Sequence, residues 1–397
     1  MGWTLAKVDD GALDELVAHF QTLEDPRSSI NRKHPLPSVL VITVLAVLAG
    51  ANGPTAIAEW AEIKKEWLLA RLDLPNGVPS KDVFRRVLMA VKSELFQSCF
   101  AAWVESMRSE AAARTGVERP TFAVDGKTAR RSHDRAKGLK ALHAVSVWAS
   151  EFGLSLGQTA CAEKSNEITA IPEVLKRVDL KGAVVTIDAM GTQKAIAEQI
   201  VAGGADYVLA LKGNQGSIHQ RAIDYINKIG EDDFEGSNVE RLETVDKGHG
   251  RVETRGYVQL EVPEDFPDKE LWKSLATLGM VVSHCLRDGK ESVEVRYFLC
   301  SLALRVSLFA HAARAHWGIE NSCHWSLDMT YREDESRIRE TNLRENFAWL
   351  NRFTLSILKQ HSDKKSVAMR RRRCGWGEGY LLEVVIGSTC YTLRGPG

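Results

Sequence analysis

The stretch HWGIENSCHWSLDMTYREDESRIR, residues 316–339, has helical spacing but carries more polar side chains than a core helix tolerates. Ile319, Cys323 and Leu327 fall at i, i+4 and i+8 and form one apolar row. Trp317, Trp325 and Met329 form a second, interrupted by Asn321. Between them Glu320, His324 and Asp328 stack on one stripe. A carboxylate flanked by rows meant for burial is costly unless it is paired, hydrogen-bonded or bound to a metal. The plain alternative is an ordinary solvated face. What decides is whether other elements supply carboxylates that can meet Glu320.

The chain has 397 residues, which leads us to expect two or three domains. Apolar residues make up 44%, charged residues 26%, and the net charge is zero, as in a soluble globular protein. That balance hides an asymmetry: residues 337–373 are basic and 231–294 are acidic, a pattern compatible with a local nucleic-acid surface. Seven scattered cysteines with no CxxC pair imply reduced thiols in a cytoplasmic setting, and argue against a zinc knuckle or disulfide framework. No signal peptide is recognisable. The longest apolar run, 39–51, falls short of the ~20 residues a membrane span needs. No membrane partner is expected.

Residues 1–115 read as an all-helical module. Helices are expected over 38–50, 57–72, 81–91 with Ser80 as N-cap, and 94–114. Its basic residues, Arg85 and Arg86 among them, suit DNA contact or simple packing about equally. At 116 the texture changes. TFAVDG (121–126), ALHAVSVWAS (141–150) and GLSLGQTACA (153–162) read as a strand meander. A helix over 167–178, a buried strand AVVTIDA (183–189), a helix over 192–202 and a strand ADYVLALKGN (205–214) follow. This order predicts an α/β fold with a ribonuclease-H-like mixed sheet. Residues 218–305 read as a β-rich insertion, and 306–362 as the second part of the core, with a continuous helix over 308–330. The span 363–397 reads as a basic linker and tail.

Asp125 ends the first strand and Asp188 the fourth, while Glu320 lies on the helix after the insertion. Acids at the carboxyl ends of neighbouring strands converge at one sheet edge, where ligands bind in α/β proteins. Three acids without His or Cys partners suit a hard cation such as Mg²⁺, with Mn²⁺ able to substitute. Two such ions activate an attacking oxygen and stabilise the leaving oxygen of a phosphoryl transfer. Each acid alone reads more simply as a turn or surface residue; it is their order and placement together that favour catalysis.

These motifs resemble the DDE transposases of the ISAs1 insertion-sequence family, of the H-repeat-associated type, within the wider group similar to the IS4 transposases. The matching stretches are DPR and HPL near 25–36, FRRVL (84–88), AVDGKTAR (123–130), SNEITAIPEVL (165–175), TIDAMGTQK (186–194), LALKGNQ (209–215), GHGRVETR (248–255) and 316–339. The resemblance implies that Asp125, Asp188 and Glu320 are the catalytic, metal-holding acids. It also implies cleavage at transposon ends, joining of 3′-hydroxyls to target DNA, and a homodimer on DNA bridging two terminal inverted repeats. The wider group's tyrosine, arginine and lysine near the glutamate fall here on Ala313, His316 and Leu327. Phosphate contacts must therefore come from elsewhere, with Arg314, His316 and His324 as candidates.

Around the acids, His324, Asp328 and Asn321 are expected to support the site. Lys127, Arg130, Lys212, Asn214, His249, Arg251, Arg255, Arg314, His316 and Arg337 are candidate DNA contacts. Trp317 and Trp325 read better as core than as base-stacking platforms, and the run Arg370–Arg373 as solvated. A related nuclease that cuts without joining, and a non-catalytic DNA-binding protein, are the alternative functions.

Overall fold

The computed structural model describes residues 11–161, 167–248 and 251–389. Helices α1 (Gly11–Gln21), α2 (Leu36–Leu48), α3 (Pro54–Ile63), α4 (Lys65–Leu69), α5 (Lys81–Ala90), α6 (Ser93–Ser98) and α7 (Ala101–Thr115) come first. The expected helices over 57–72 and 94–114 are each broken in two, at Lys64 and before Ala101. Almost every residue of α2 is buried, which is why its sequence is apolar on all sides.

The sheet then begins with β1 (Thr121–Ala129), β2 (Leu142–Ala149) and β3 (Leu154–Ala160). Next come α8 (Glu167–Leu175), β4 (Val184–Ile187), α9 (Lys194–Ala202), β5 (Asp206–Leu211) and α10 (Ser217–Gly230). The insertion supplies β6 (Val239–Gly248), β7 (Arg251–Glu261), β8 (Thr277–Arg287) and β9 (Lys290–Cys300). All nine strands form one sheet in the order β3-β2-β1-β4-β5-β9-β8-β7-β6. β1, β4 and β5 are parallel, and β2 returns antiparallel on β1. This is a ribonuclease-H-like mixed sheet, and the inserted strands continue it edge to edge, with β9 antiparallel to β5.

Helix α11 (Val306–Ala315) crosses back over the sheet. Instead of one continuous helix over 308–330, the chain then forms a π-helical turn, Ile319–His324, followed by α12 (Trp325–Met329). Helix α13 (Thr341–Gln360) runs through the interior, touching β3, α2 and α5. Its buried Asn346 donates to the Leu88 and Val91 carbonyls, closing the end of α5. A helix α14 (Val367–Trp376) occupies the region read as a basic linker, and α15 (Glu378–Thr389) ends the described chain. No described helix is long and apolar enough to cross a membrane.

The arginine run 370–373 is not uniformly solvated. Arg371 is buried, donates to the Val47, Ala51 and Thr330 carbonyls, and stacks over Tyr331 at 4.0 Å. Burial lowers its pKa, opposed by Tyr331 and Cys374. It thus ties α2 to the segment after α12. Arg371→Ala takes a donor from the buried Val47 and Ala51 carbonyls and from the half-buried Thr330 carbonyl and should cost about 3 kcal/mol, whereas Arg372→Ala, at an exposed position, should stay within about 0.5 kcal/mol. Urea unfolding of both variants checks this, and equal midpoints would remove Arg371 from its bridging role.

Candidate active site

Asp125 and Asp188 are brought side by side by strand register. The last β1–β4 pair is Val124 with Ile187, so the next residue on each parallel strand is the acid. Asp188 Oδ1 accepts from the Met190 and Gly191 backbone N–H groups at 3.0 and 3.1 Å. The turn-residue reading of Asp188 is therefore true of one oxygen. Thr192 Oγ1 and Asn214 Nδ2 brace the same loop, the latter by donating to the Ala189 carbonyl.

Asp125 Oδ1 accepts from the Gly126 N–H at 2.8 Å. Burial raises its pKa most. The Gly126 hydrogen bond opposes this, and the charges of Glu167, Asp188 and Glu320 add to it, leaving the carboxyl at about 7. Glu320, which contributes to that repulsion, lies in the π turn and is exposed. A π turn inserts one extra residue into a helix and recurs at functional sites. Here it resets the helical phase between α11 and α12.

The two apolar rows part company. Ile319, Cys323 and Leu327 are fully buried, whereas Trp325 and Met329 are 59% and 64% exposed and Trp317 is 39% exposed. The reading of the tryptophans as core is thereby corrected: only one face of this segment finds the protein interior. His324 is tucked beneath the acids, with Nδ1 3.6 Å from Asp125 Oδ2. Burial, helped by Arg352 and Lys127, lowers its pKa to about 3, so it is neutral at physiological pH. Asp328 turns to Lys127 at 2.6 Å rather than to the acids, and Asp334 holds both Lys127 and Arg130. Lys127 is thus a buried clamp between β1 and the Glu320 segment.

A fourth carboxylate, missed in the sequence, completes the cluster. Glu167, the first residue of α8, accepts from His143 Nε2 at 2.7 Å, and His143 Nδ1 meets Thr128 Oγ1 at 2.7 Å. A Cβ on Gly126 would lie 2.3 Å from Glu167 Oε1 and 2.6 Å from His143 Nε2, so those side-chain ends must shift to admit one. The motif SNEITAIP carried the signal, but helical spacing alone gave Glu167 no distinction from a first-turn acid.

The other candidate contacts separate clearly. Arg251, Arg255 and Arg314 line a cleft of about 460 Å³ between the inserted strands and α11, which also reaches Glu320 and Asn321. Arg296, not singled out in the sequence, joins them and lies 4.4 Å over the Trp317 ring. These arginines already have acidic partners: Arg255 pairs with Asp246 and Glu253, Arg314 with Asp246, Arg251 with Glu253, and Arg296 with Glu294. Lys212 and Arg337 are exposed, and His249 lies outside the described residues. His316 turns inward to Thr186 Oγ1 at 2.9 Å, and burial, with Arg296 adding, lowers its pKa to about 4. A neutral interior imidazole offers no cation to phosphate.

Among the described residues no three His, Cys, Asp or Glu side chains form a ready-made metal cage. Mg²⁺ does not require one, since it binds through one or two carboxylates and fills its remaining positions with water and substrate oxygens. Asp125, crowded by like charges, is the group whose ionisation a dication would relieve. The donor set fits Mg²⁺ on that ground.

A family model described as "Transposase DDE domain" matches residues 116–357, and one described as "DDE_Tnp_1-associated" matches 17–104. "Putative transposase YncI" of Escherichia coli O157:H7 is 36% identical over 94% of this chain and 95% of its own length. "H repeat-associated putative transposase YhhI" of E. coli K12 is 34% identical over 95% and 99%. An uncharacterised protein in the dhlA 3′ region of Xanthobacter autotrophicus is 40% identical over 71% and 92%.

Two measurements test the cluster. Asp125 titrates near 7 in the folded protein against 3.8 as its ordinary value, so the wild type loses stability as pH rises through that window. Asp125→Asn escapes this loss. In metal-free buffer its stability advantage should grow between pH 5 and 8, by at most about 3 kcal/mol, and Mg²⁺ should shrink it. A pH-independent difference would show that Asp125 is not crowded. Separately, Gly126→Ala should cost about 1–3 kcal/mol through the clash with Glu167 and His143, and Glu167→Ala should relieve part of it. A wild-type melting temperature for Gly126→Ala would remove that contact.

Proposed function

The chain belongs to the DDE transposase family, and from that premise we propose that it cleaves DNA at the ends of its element and joins the freed 3′-hydroxyls to target DNA. The observation that carries this reading is the convergence of Asp125, Asp188 and the Glu320 charge at one sheet edge, each delivered by a different element. In this reading Asp125, Asp188 and Glu320 would hold Mg²⁺, or Mn²⁺ in its place. Bound there, the ions supply activation of the attacking oxygen and charge stabilisation of the leaving one.

The protein's own residues orient the reactants. Asp188 is fixed by its turn, with Oδ1 accepting from the Met190 and Gly191 backbone N–H groups. Neutral His324 packs beside Asp125 without adding charge. Asn321, next to Glu320 on the cleft wall, would meet a sugar or phosphate oxygen. The terminal inverted repeat lies along the cleft of Arg251, Arg255, Arg296 and Arg314, where phosphates exchange with Asp246 and Glu253 as arginine partners. Positioning and charge neutralisation suffice for phosphoryl transfer, so no nucleophilic side chain is required. Two protein copies, one per end, act together on DNA.

Asp125→Ala, Asp188→Ala and Glu320→Ala should each abolish Mg²⁺-dependent nicking of an inverted-repeat duplex while gel-shift binding to that duplex survives. Cleavage retained by any one variant takes that residue out of the reaction. Nicking without joining, when a pre-cut end is offered a plasmid, would favour the nuclease reading.

A further inference from the structure

Strand transfer needs two duplexes at one set of acids. In an in-line displacement the attacking 3′-hydroxyl and the leaving oxygen lie on opposite sides of the phosphorus. The transposon end and the target must therefore approach the acids from different directions. If the end occupies the arginine cleft, the target needs another surface at the carboxyl edge of the sheet.

The fold supplies one. Beyond Asp125, strand β1 continues through Gly126, Lys127, Thr128 and Ala129, paired only with β2, so this hairpin projects past the acids. Its connection, RRSHDRAKGLKA (130–141), carries Arg130, Arg131, Arg135, Lys137 and Lys140 against the single acid Asp134. The loop is built rather than loose. Asp134 and Leu139 exchange two backbone hydrogen bonds of 2.9 Å, and Gly138 takes the left-handed conformation at φ +68° that closes the turn. Ser132 Oγ donates to the Ala129 carbonyl and accepts the Leu142 N–H, each at 2.7 Å. The loop base is fastened to the catalytic segment through Arg130 and Lys127 on Asp334. Arg131, Arg135 and Lys137 are exposed and, among the described residues, have no acidic partner.

The contrast with the cleft is the second part of the argument. Four cleft arginines are already engaged with acids, whereas these three cations are open to solvent. Unpaired cations on a fixed loop give sequence-independent attraction to phosphate, which is what an incoming target requires. The two surfaces are also on opposite sides of the acids: from β1 the cleft strand β7 is five strands away in the sheet order, while the loop hangs on the β2 side. At ~4.8 Å per strand that separation is roughly 24 Å.

We propose that the β1–β2 loop, through Arg131, Arg135 and Lys137, is the docking surface for the target duplex. This rests on the transposase reading above. The test uses the full chain carrying Arg131→Ala, Arg135→Ala and Lys137→Ala together. Three measurements are made: binding to an inverted-repeat duplex, Mg²⁺-dependent nicking of that duplex, and joining of a pre-cut end into supercoiled plasmid. The expected result is end binding and nicking within twofold of wild type, with joining reduced at least tenfold. A companion variant with Arg131→Lys, Arg135→Lys and Lys137→Arg should restore joining. The log–log salt dependence of binding to a random duplex should flatten by up to about 2–3 in the triple-Ala variant. Wild-type joining in that variant overturns the proposal. So does a parallel fall in end binding, which would assign the loop to the transposon end or its flank. If the triple-Ala variant melts below wild type, Arg135→Ala alone is read by the same three assays. Wild-type protein that neither nicks nor joins would instead remove the transposase reading itself.

Discussion

The mutual repulsion of carboxylates at one sheet edge is the constraint on which the rest of the structure depends. Asp125 is half-buried and faces the charges of Glu167, Asp188 and Glu320, which together with desolvation outweigh the Gly126 hydrogen bond that favours its ionised form. A cluster of this kind would spread apart if its carriers were free to move. Two of the acids are therefore on adjacent parallel strands, where backbone hydrogen bonds fix their separation. The other two are clamped from outside. Glu167 is held by His143, and the Glu320 segment is fastened at several points. Lys127 pairs with Asp328, Lys359 donates to Ser322, and the buried Arg352 holds Glu333 at 3.0 Å just past the segment. Breaking that last pair would strand a charge in the interior, which typically costs 3–5 kcal/mol.

How much of this was legible follows from the range of each interaction. The strand acids could be read because position at a strand end is a local property, and the parallel register then does the rest. The buried row Ile319, Cys323 and Leu327 could be read because it follows helical spacing. The second row could not. Spacing shows that Trp317, Trp325 and Met329 share a face but not what covers it: Arg296 lies over Trp317, while Trp325 and Met329 stay largely exposed. The π turn was equally hidden, since one inserted residue leaves the apolar pattern intact while shifting what Glu320 faces.

Long-range partners explain the remaining differences. Arg371 reads as one of four identical charges, yet it alone is enclosed by the end of α2 and by Tyr331. His316 reads as a cation on the helix that carries the glutamate, but burial against the sheet, with Arg296 adding, keeps it neutral even though it meets Thr186 Oγ1. Gly126 reads only as the last residue of the strand expected over 121–126. In the structure its missing side chain leaves the space that the ends of Glu167 and His143 occupy beside β1.

Charge is distributed on the surface by a different logic. In the cleft, Asp246 and Glu253 already pair with the arginines, so under the proposed function DNA would exchange one set of ion pairs for another. Such an exchange contributes little net attraction, but it holds each guanidinium in a fixed orientation and penalises a ligand that fails to replace every acid. The acids therefore raise the demand for a correctly placed phosphate path. Around 130–141 the balance is reversed, with cations in excess and, among the described residues, no carboxylate paired with three of them. One surface gains discrimination and loses strength; the other gains strength and loses discrimination. A protein of zero formal charge can combine the two proposed surfaces because the insertion concentrates acids on the cleft side.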